Sequence, residues 1–228
     1  KAHAVAYAIV AYRTAYMKRH YPREYMAALL TSVLDSSTKV AEYIAECREM
    51  HIRLLPPDVN ESGAWFTVVG SDIRFGLVAI KNIGEKFINL LMAERESGGA
   101  FKSLEDFCRR MSGKELNRRA VESLIQAGAF DSLGAKRRAM VQMLDQVLDS
   151  IADDGRKNVA GQLDLFGGED GGAMAEVPVP QVDEYSRAEL MAMERSVTGL
   201  YPTGHPMDEY REAIRRIGAA HIGAILSS

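Results

Sequence analysis

Between residues 151 and 182 every apolar periodicity lapses, and Gly155, Gly161, Gly167, Gly168, Gly171, Gly172, Pro178 and Pro180 stand among acidic side chains. A stretch of that composition buries too little apolar surface to offset the entropy of ordering it, so it predicts a flexible linker. A large core must therefore be built from the residues before it. There, apolar side chains recur at helical spacing. Val5, Ile9, Tyr12 and Tyr16 share one helix face, Tyr21-Pro22 closes that helix, and Pro22 suits the first turn of a second, roughly 23 to 34. Ser36 or Ser37 caps a third helix that runs to about Met50, and the three call for a common core.

After Leu54-Leu55 the pair Pro56-Pro57 breaks regular structure. Trp65 to Val69 and Ile73 to Phe75 then flank Gly70-Ser71-Asp72, which predicts one short β-hairpin. A hairpin alone is marginal in water, so its apolar face is expected against a helix. From Gly76 the period is helical again, over about 76–80, 85–97, 103–111, 115–127 and 134–150, with breaks at Ser97-Gly98-Gly99 and Ala127-Gly128-Ala129. A last helical stretch starts near Ser186 and turns between Pro202 and Pro206 before a further short helix. The fold class expected is mainly α. It divides into a helical bundle over 1–60, a β-hairpin with a helical module over 61–150, an acidic flexible linker over 151–185 and a helical segment over 186–228.

The formal charge of −3 conceals segregation along the chain. Residues 74–138 carry 13 basic and 8 acidic groups, residues 139–185 carry 2 and 10, and the flanking regions are balanced. A basic module followed by an acidic tether suits a polyanion for the first and keeps it off the second. No apolar run approaches the roughly 20 residues that cross a bilayer, and no basic-then-apolar leader with a cleavage site is present. A soluble, cytoplasmic chain with no membrane partner is expected, and both ends read as cut from a longer protein. Cys47 and Cys108 lie far apart, with no C-x-x-C and no His at ligand spacing. They are expected as reduced structural thiols, with no metal site.

Two motifs carry chemistry. Gly76 to Lys86 holds a short apolar helix, Lys81-Asn82-Ile83-Gly84, and a helix start at Glu85-Lys86. Gly84 would let the backbone turn tightly and approach a phosphate, the helix N-terminus would offer unpaired N–H groups, and Lys81 and Lys86 would add charge. A weaker copy lies at Ile125 to Phe130, followed by Lys136-Arg137-Arg138, with its turn poorly formed in sequence. The second motif is Gln162-Leu163-Asp164-Leu165-Phe166, large apolar residues between glycines in the acidic linker. Without periodic neighbours they cannot join a local core, and such a peptide suits a pocket on another protein, with Gln162 as polar anchor and Leu165 and Phe166 as apolar ones.

The Gly76–Lys86 segment resembles the helix-hairpin-helix consensus. Together with Lys1-Ala2-His3, Tyr21-Pro22, Met26 to Thr31, Leu55 to Asn60, Arg74 to Leu77, Phe101 to Leu104, Leu116 to Arg119, Ala127 to Asp131, Gly199 to Tyr201 and Gly204 to Pro206, it resembles, in order and spacing, the bacterial family C polymerase III alpha subunits. The resemblance implies distal fingers, then a tandem helix-hairpin-helix domain on the primer–template duplex, then an internal sliding-clamp peptide at Gln162 to Phe166. It implies that Lys1 and His3 line the incoming-nucleotide site, where His3 could sit against the sugar, and that Lys81 to Lys86 bind duplex. Further replisome subunits and a nucleoid location follow from it too. In that family the palm carboxylates holding two Mg ions lie upstream, so this segment alone is expected to lack polymerase activity. Ala2, where the family usually has serine, and Pro202, where an apolar residue is more usual, depart from the pattern. The alternative is a non-enzymatic helix-hairpin-helix scaffold that recruits the clamp, which has no need of His3 or of the helices over 1–60.

Overall fold

The structure, a computed structural model, describes residues 2–34, 36–159, 177–204 and 206–218. Three helices open it: α1 (Ala2–His20), α2 (Pro22–Ser32) with Pro22 in its first turn, and α3 (Ser37–Glu49). Strands β1 (Leu54–Leu55), β2 (Thr67–Val69) and β3 (Asp72–Arg74) follow, then α4 (Glu85–Gly98), α5 (Leu104–Met111), α6 (Arg118–Gln126) and α7 (Arg137–Val159). The return segment carries α8 (Arg187–Thr198) and the short α9 (Arg211–Arg216). The chain is mainly α, as its periodicity predicts.

The hairpin expected over Trp65–Phe75 forms and gains a third strand. β2 pairs antiparallel with β3, which pairs parallel with β1, so Ile73 faces both Val68 and Leu54 and is fully buried. Its stability comes from burial against α2 rather than from two strands alone.

One expectation fails. The α1 stripe of Val5, Ile9, Tyr12 and Tyr16 stays exposed, so no core is shared by all three opening helices. Only the C-terminal part of α1 is held, by the Lys18–Glu46 ion pair and by helix continuity into α2. The period was right, but periodicity says nothing of what a face packs on, and the described residues provide no partner for this one. The core instead joins α2 and α3, through Met26, Leu30, Val40, Ile44 and Cys47, to the sheet.

The second part of the core is aromatic. Phe107 meets Phe101, Phe130 and Phe87 edge-on at 4.9, 5.0 and 6.4 Å, a favoured ring geometry. Asn60 ties the sheet side to it, donating to the Phe101 carbonyl at 2.9 Å and accepting from the Phe101 N–H at 2.7 Å. Burial pushes the Cys47 thiol up to about 11 and the Cys108 thiol up to about 12, so both stay protonated. The boundary drawn at residue 150 falls inside α7, which continues to Val159. At its other end the acidic segment is seated: Val177 is buried and its N–H donates to Glu105 Oε2 at 2.9 Å.

Candidate nucleic-acid interface

A 3-10 turn, Leu77–Ala79, leads into the tight loop before α4. The loop's strained residue is Asn82, with φ of 64°, and not Gly84, whose φ of −83° any residue adopts. The turn therefore does not require Gly84, contrary to the expectation from sequence. Asn82 tolerates the left-handed region better than most residues and is held there by its amide, which donates to Ser123 Oγ of α6 at 3.1 Å.

A Cβ added at Gly84 would meet no atom within 4 Å. No side chain caps α4, whereas Ser103, Asn117 and Ser186 cap α5, α6 and α8. A helix start with free N–H groups and a bare backbone residue facing open space suits a close-approaching anion.

The two lysines expected to flank this site are engaged within the fold. Lys81 Nζ donates to the Ser196 carbonyl at 2.8 Å and its N–H to the Val197 carbonyl at 2.8 Å, complementing the C-terminal end of α8. Lys86 Nζ lies 2.6 Å from Glu115 Oε1 in an exposed pair that water and salt weaken. Glu85 opens α4, where a carboxylate favours the helix dipole, and Ile83 is half-buried against the core. The cation missed from sequence is Arg119. With Asn82, Glu122, Ser123 and Gln126 it lines a cavity of about 280 Å³ beside the loop, and it has no ion-pair partner among the described residues. Its signal was present only as the Asn117-Arg118-Arg119 run, where helical spacing does not say which arginine is paired. Arg118 is the paired one, to Asp145 and Glu122.

The second copy of the motif is better formed than its sequence suggests. Gly128 takes φ of 81° at the end of α6, its N–H donates to the Ile125 carbonyl at 3.0 Å, and Ala129 donates to Leu124 at 2.9 Å. Its basic triplet is occupied. Arg137 is nearly buried and binds Asp131 through Nε at 2.8 Å and Nη2 at 2.6 Å, and Glu194 at 3.1 Å. The N–H groups of Arg137 and Arg138 donate to the two carboxylate oxygens of Glu184 at 2.7 and 3.1 Å. Glu184 is held below the ordinary carboxylate range: burial works against this, and backbone N–H bonds from Tyr185, Arg138 and Arg137 outweigh it.

His3 is exposed on α1, its ring edge-on to Tyr7 at 4.6 Å. Lys1 and the peptide Gln162 to Phe166 lie outside the described residues. Among the described residues no group of three or more His, Cys, Asp or Glu could hold a metal ion. No described helix is long and apolar enough to cross a membrane.

Residues 51–140 match the family described as "Helix-hairpin-helix motif". Over 214 residues the chain is 46% identical to DNA polymerase III subunit alpha of Saccharopolyspora erythraea, a match covering 91% of this chain and 18% of that protein. The same-named protein of Mycobacterium tuberculosis is 43% identical over 212 residues, again 91% and 18%. That of Deinococcus radiodurans is 41% identical over 226 residues, covering 97% of this chain and 17% of the relative. The chain thus spans less than a fifth of the length of these curated relatives.

Proposed function

We propose that this chain, a homologue of one segment of the DNA polymerase III alpha subunits, grips the backbone of duplex DNA for a DNA-directed DNA polymerase. The observation that carries the reading is the uncapped start of α4 behind Gly84, a glycine that neither backbone conformation nor internal packing requires. A phosphate could approach that backbone and accept from the free N–H groups of the first α4 turn, while Arg119 and Lys86 supply flanking charge. Contacts of this kind position a duplex and carry no sequence information, which suits a polymerase that must act on any template. Lys81 acts indirectly in this scheme, by fixing α8 against the loop.

The finer assignments follow the same homology. His3 and Lys1 would border the incoming nucleotide. Gln162 to Phe166 would bind a bacterial sliding clamp, with Leu165 and Phe166 as apolar anchors. The cytoplasm, other replisome subunits as partners, and catalytic Mg ions held outside this segment complete the reading.

The test is Gly84→Ala, compared with Gly76→Ala, in fluorescence-anisotropy titrations of a duplex at several salt concentrations. The fold accepts a methyl at 84, so melting should be unchanged while duplex affinity falls about tenfold, the loss of roughly one charge-assisted contact. At 76 a Cβ would stand 2.4 Å from the Trp65 carbonyl carbon, so Gly76→Ala should unfold the sheet side instead. Unchanged affinity for Gly84→Ala would remove the assignment.

A further inference from the structure

Two cavities meet where the end of α3 faces the end of α8. One, of about 510 Å³, is lined by Arg48, His51, Arg53 and Tyr201 among others, and one of about 420 Å³ by Arg48, Arg195, Gly199 and Tyr201. Arg48 and Tyr201 belong to both, so the two form one cleft, with the buried Ile52 and Leu200 as its apolar wall. Among the described residues no acidic side chain lines it. Gly199, Tyr201 and Pro202 stand out in the sequence, and duplex binding at α4 gives them no role.

Cations at a helix C-terminus often cap its last carbonyls, but here the backbone closes both ends. At α3 the Ile52 N–H donates to the Cys47 carbonyl at 2.8 Å and the His51 N–H to the Arg48 carbonyl at 3.1 Å. At α8 the Gly199 N–H donates to the Arg195 carbonyl at 2.8 Å. The α3 closure sets His51 at φ of 59°, a position that favours glycine, so the fold carries this imidazole at a conformational cost. Arg53 is held by two bonds to Asp72. Arg48 and Arg195 have no ion-pair partner among the described residues; Arg195 Nη1 donates to the Tyr201 hydroxyl at 3.1 Å, its guanidinium 5.6 Å from the ring centre.

The cleft lies one helical turn from the cavity beside the Asn82 loop. Val197 lines that cavity and Arg195 this cleft, and residues two apart on a helix point to nearly opposite sides. Lys81 ties this turn to the loop through the Ser196 and Val197 carbonyls. A helix is about 10–12 Å across, which a nucleic-acid strand spans in roughly three nucleotides at about 3.4 Å each. A duplex keeps its bases stacked inside and cannot seat one in a concave cleft, whereas an unpaired strand can.

We propose that this cleft binds an unpaired DNA strand continuing from the duplex held at α4, with Arg48 and Arg195 on its phosphates, His51 as a further hydrogen-bond donor and a base against Tyr201. The origin of the strand rests on the duplex-gripping reading above; the cleft itself does not.

The experiment titrates the whole chain into three fluorescent DNAs, followed by anisotropy: a single strand, a blunt duplex and the same duplex with a single-stranded extension. The extension should raise affinity over the blunt duplex about tenfold, the worth of one stacked base. Arg48→Gln with Arg195→Gln should cancel that gain, weaken single-strand binding about tenfold and flatten its log–log salt slope by about 1.4, two phosphates fewer. Blunt-duplex affinity should stay at the parent's value. Arg13→Gln with Arg19→Gln, which removes the same charge from exposed positions on α1, should leave the gain in place. A single strand carrying 5-iododeoxyuridine should photocrosslink to Tyr201.

A parent that binds blunt and extended duplex alike, or an Arg48, Arg195 variant that keeps the gain, would overturn the cleft as a strand site. A gain lost equally in the Arg13, Arg19 control would reduce it to net charge and overturn it too. A deoxynucleoside triphosphate that competes at the affinity of the oligonucleotide would overturn the strand in favour of a free nucleotide. Single-strand binding that falls with the Arg48, Arg195 pair, while duplex binding ignores Gly84→Ala, would keep the cleft and sink the duplex reading, so the two failures are distinct. Should the glutamine pair lower the melting temperature, Arg48→Lys with Arg195→Lys, which keeps the charge and loses the planar fork, carries the same comparison with a smaller loss.

Discussion

Arg137 is where the second hairpin, α7 and α8 are joined, and removing it should cost far more than removing the acid it shares with α8. Its side chain is 4% exposed and that of Glu194 is 0% exposed. Glu194 also accepts from the Thr203 hydroxyl at 2.8 and 2.9 Å and from the Thr203 N–H at 3.2 Å. Arg137→Ala leaves the Glu194 carboxylate buried with only Thr203 for company, and stranding one partner of a buried pair costs about 3–5 kcal/mol. Glu194→Gln leaves Arg137 with its two bonds to Asp131 and a third, at 3.3 Å, to the Gln126 carbonyl. Its cost should be that of one weakened hydrogen bond, about 1–2 kcal/mol. Arg137→Met with Glu194→Leu removes both charges together and should recover most of the loss. Urea unfolding followed by far-UV circular dichroism measures all three, with equal slopes as the check that one transition is compared. An Arg137→Ala cost no larger than that of Glu194→Gln would refute the claim that these charges are coupled across a dry contact.

The loop at Asn82 gives a second prediction. Asn82→Val should cost about 1–2 kcal/mol for a β-branched residue at positive φ, and Asn82→Gly should cost less, losing only the bond to Ser123; equal costs in the same urea assay would count against the left-handed conformation. A third concerns acid. The folded-state value of Glu184 lies below its ordinary 4.5, so its contribution is full above 4.5 and is lost as the pH falls through the lower folded value. Amide protection at Arg137 and Arg138 should therefore fade as the pH falls below 4.5, and protection that persists unchanged into strongly acidic solution would refute it. Last, Leu165→Ala with Phe166→Ala should abolish calorimetric binding to a bacterial sliding clamp, and undiminished heat would remove the clamp assignment.

What the sequence made legible was local. Helical spacing placed α2 to α6 and the starts of α7 and α8 within a few residues, Pro22 and Ser36 or Ser37 marked helix starts, and the turn at Gly70 marked the hairpin, because each signal acts over one to four residues. Pairing over long separations was not legible. β1 joins β3 across 19 positions, Lys81 Nζ reaches Ser196 across 115, and Arg137 reaches Glu194 across 57. No period encodes those partners.

The basic block shows why this matters for function. Its excess of positive charge is real, yet tertiary pairing decides which cations remain to meet the proposed duplex. Arg110 and Lys114 close on Glu94, holding it below the ordinary carboxylate range through hydrogen bonds from Lys114 first and Arg110 second. Arg118 is held by Asp145, Lys81 by α8 and the Lys136–Arg138 triplet by residues 182–185, Asp131 and the buried Glu194. Among the described residues Arg119 has no ion-pair partner, and it stands beside the loop that also leaves α4 uncapped. The glycine that appeared to make the turn turns out to be dispensable to it, and that is the stronger argument for a ligand. A residue required by the fold says nothing about what lies outside. On the proposed reading, a bare backbone that the fold does not require, set before free N–H groups and an arginine with no ion-pair partner among the described residues, is where a negatively charged ligand approaches from solvent.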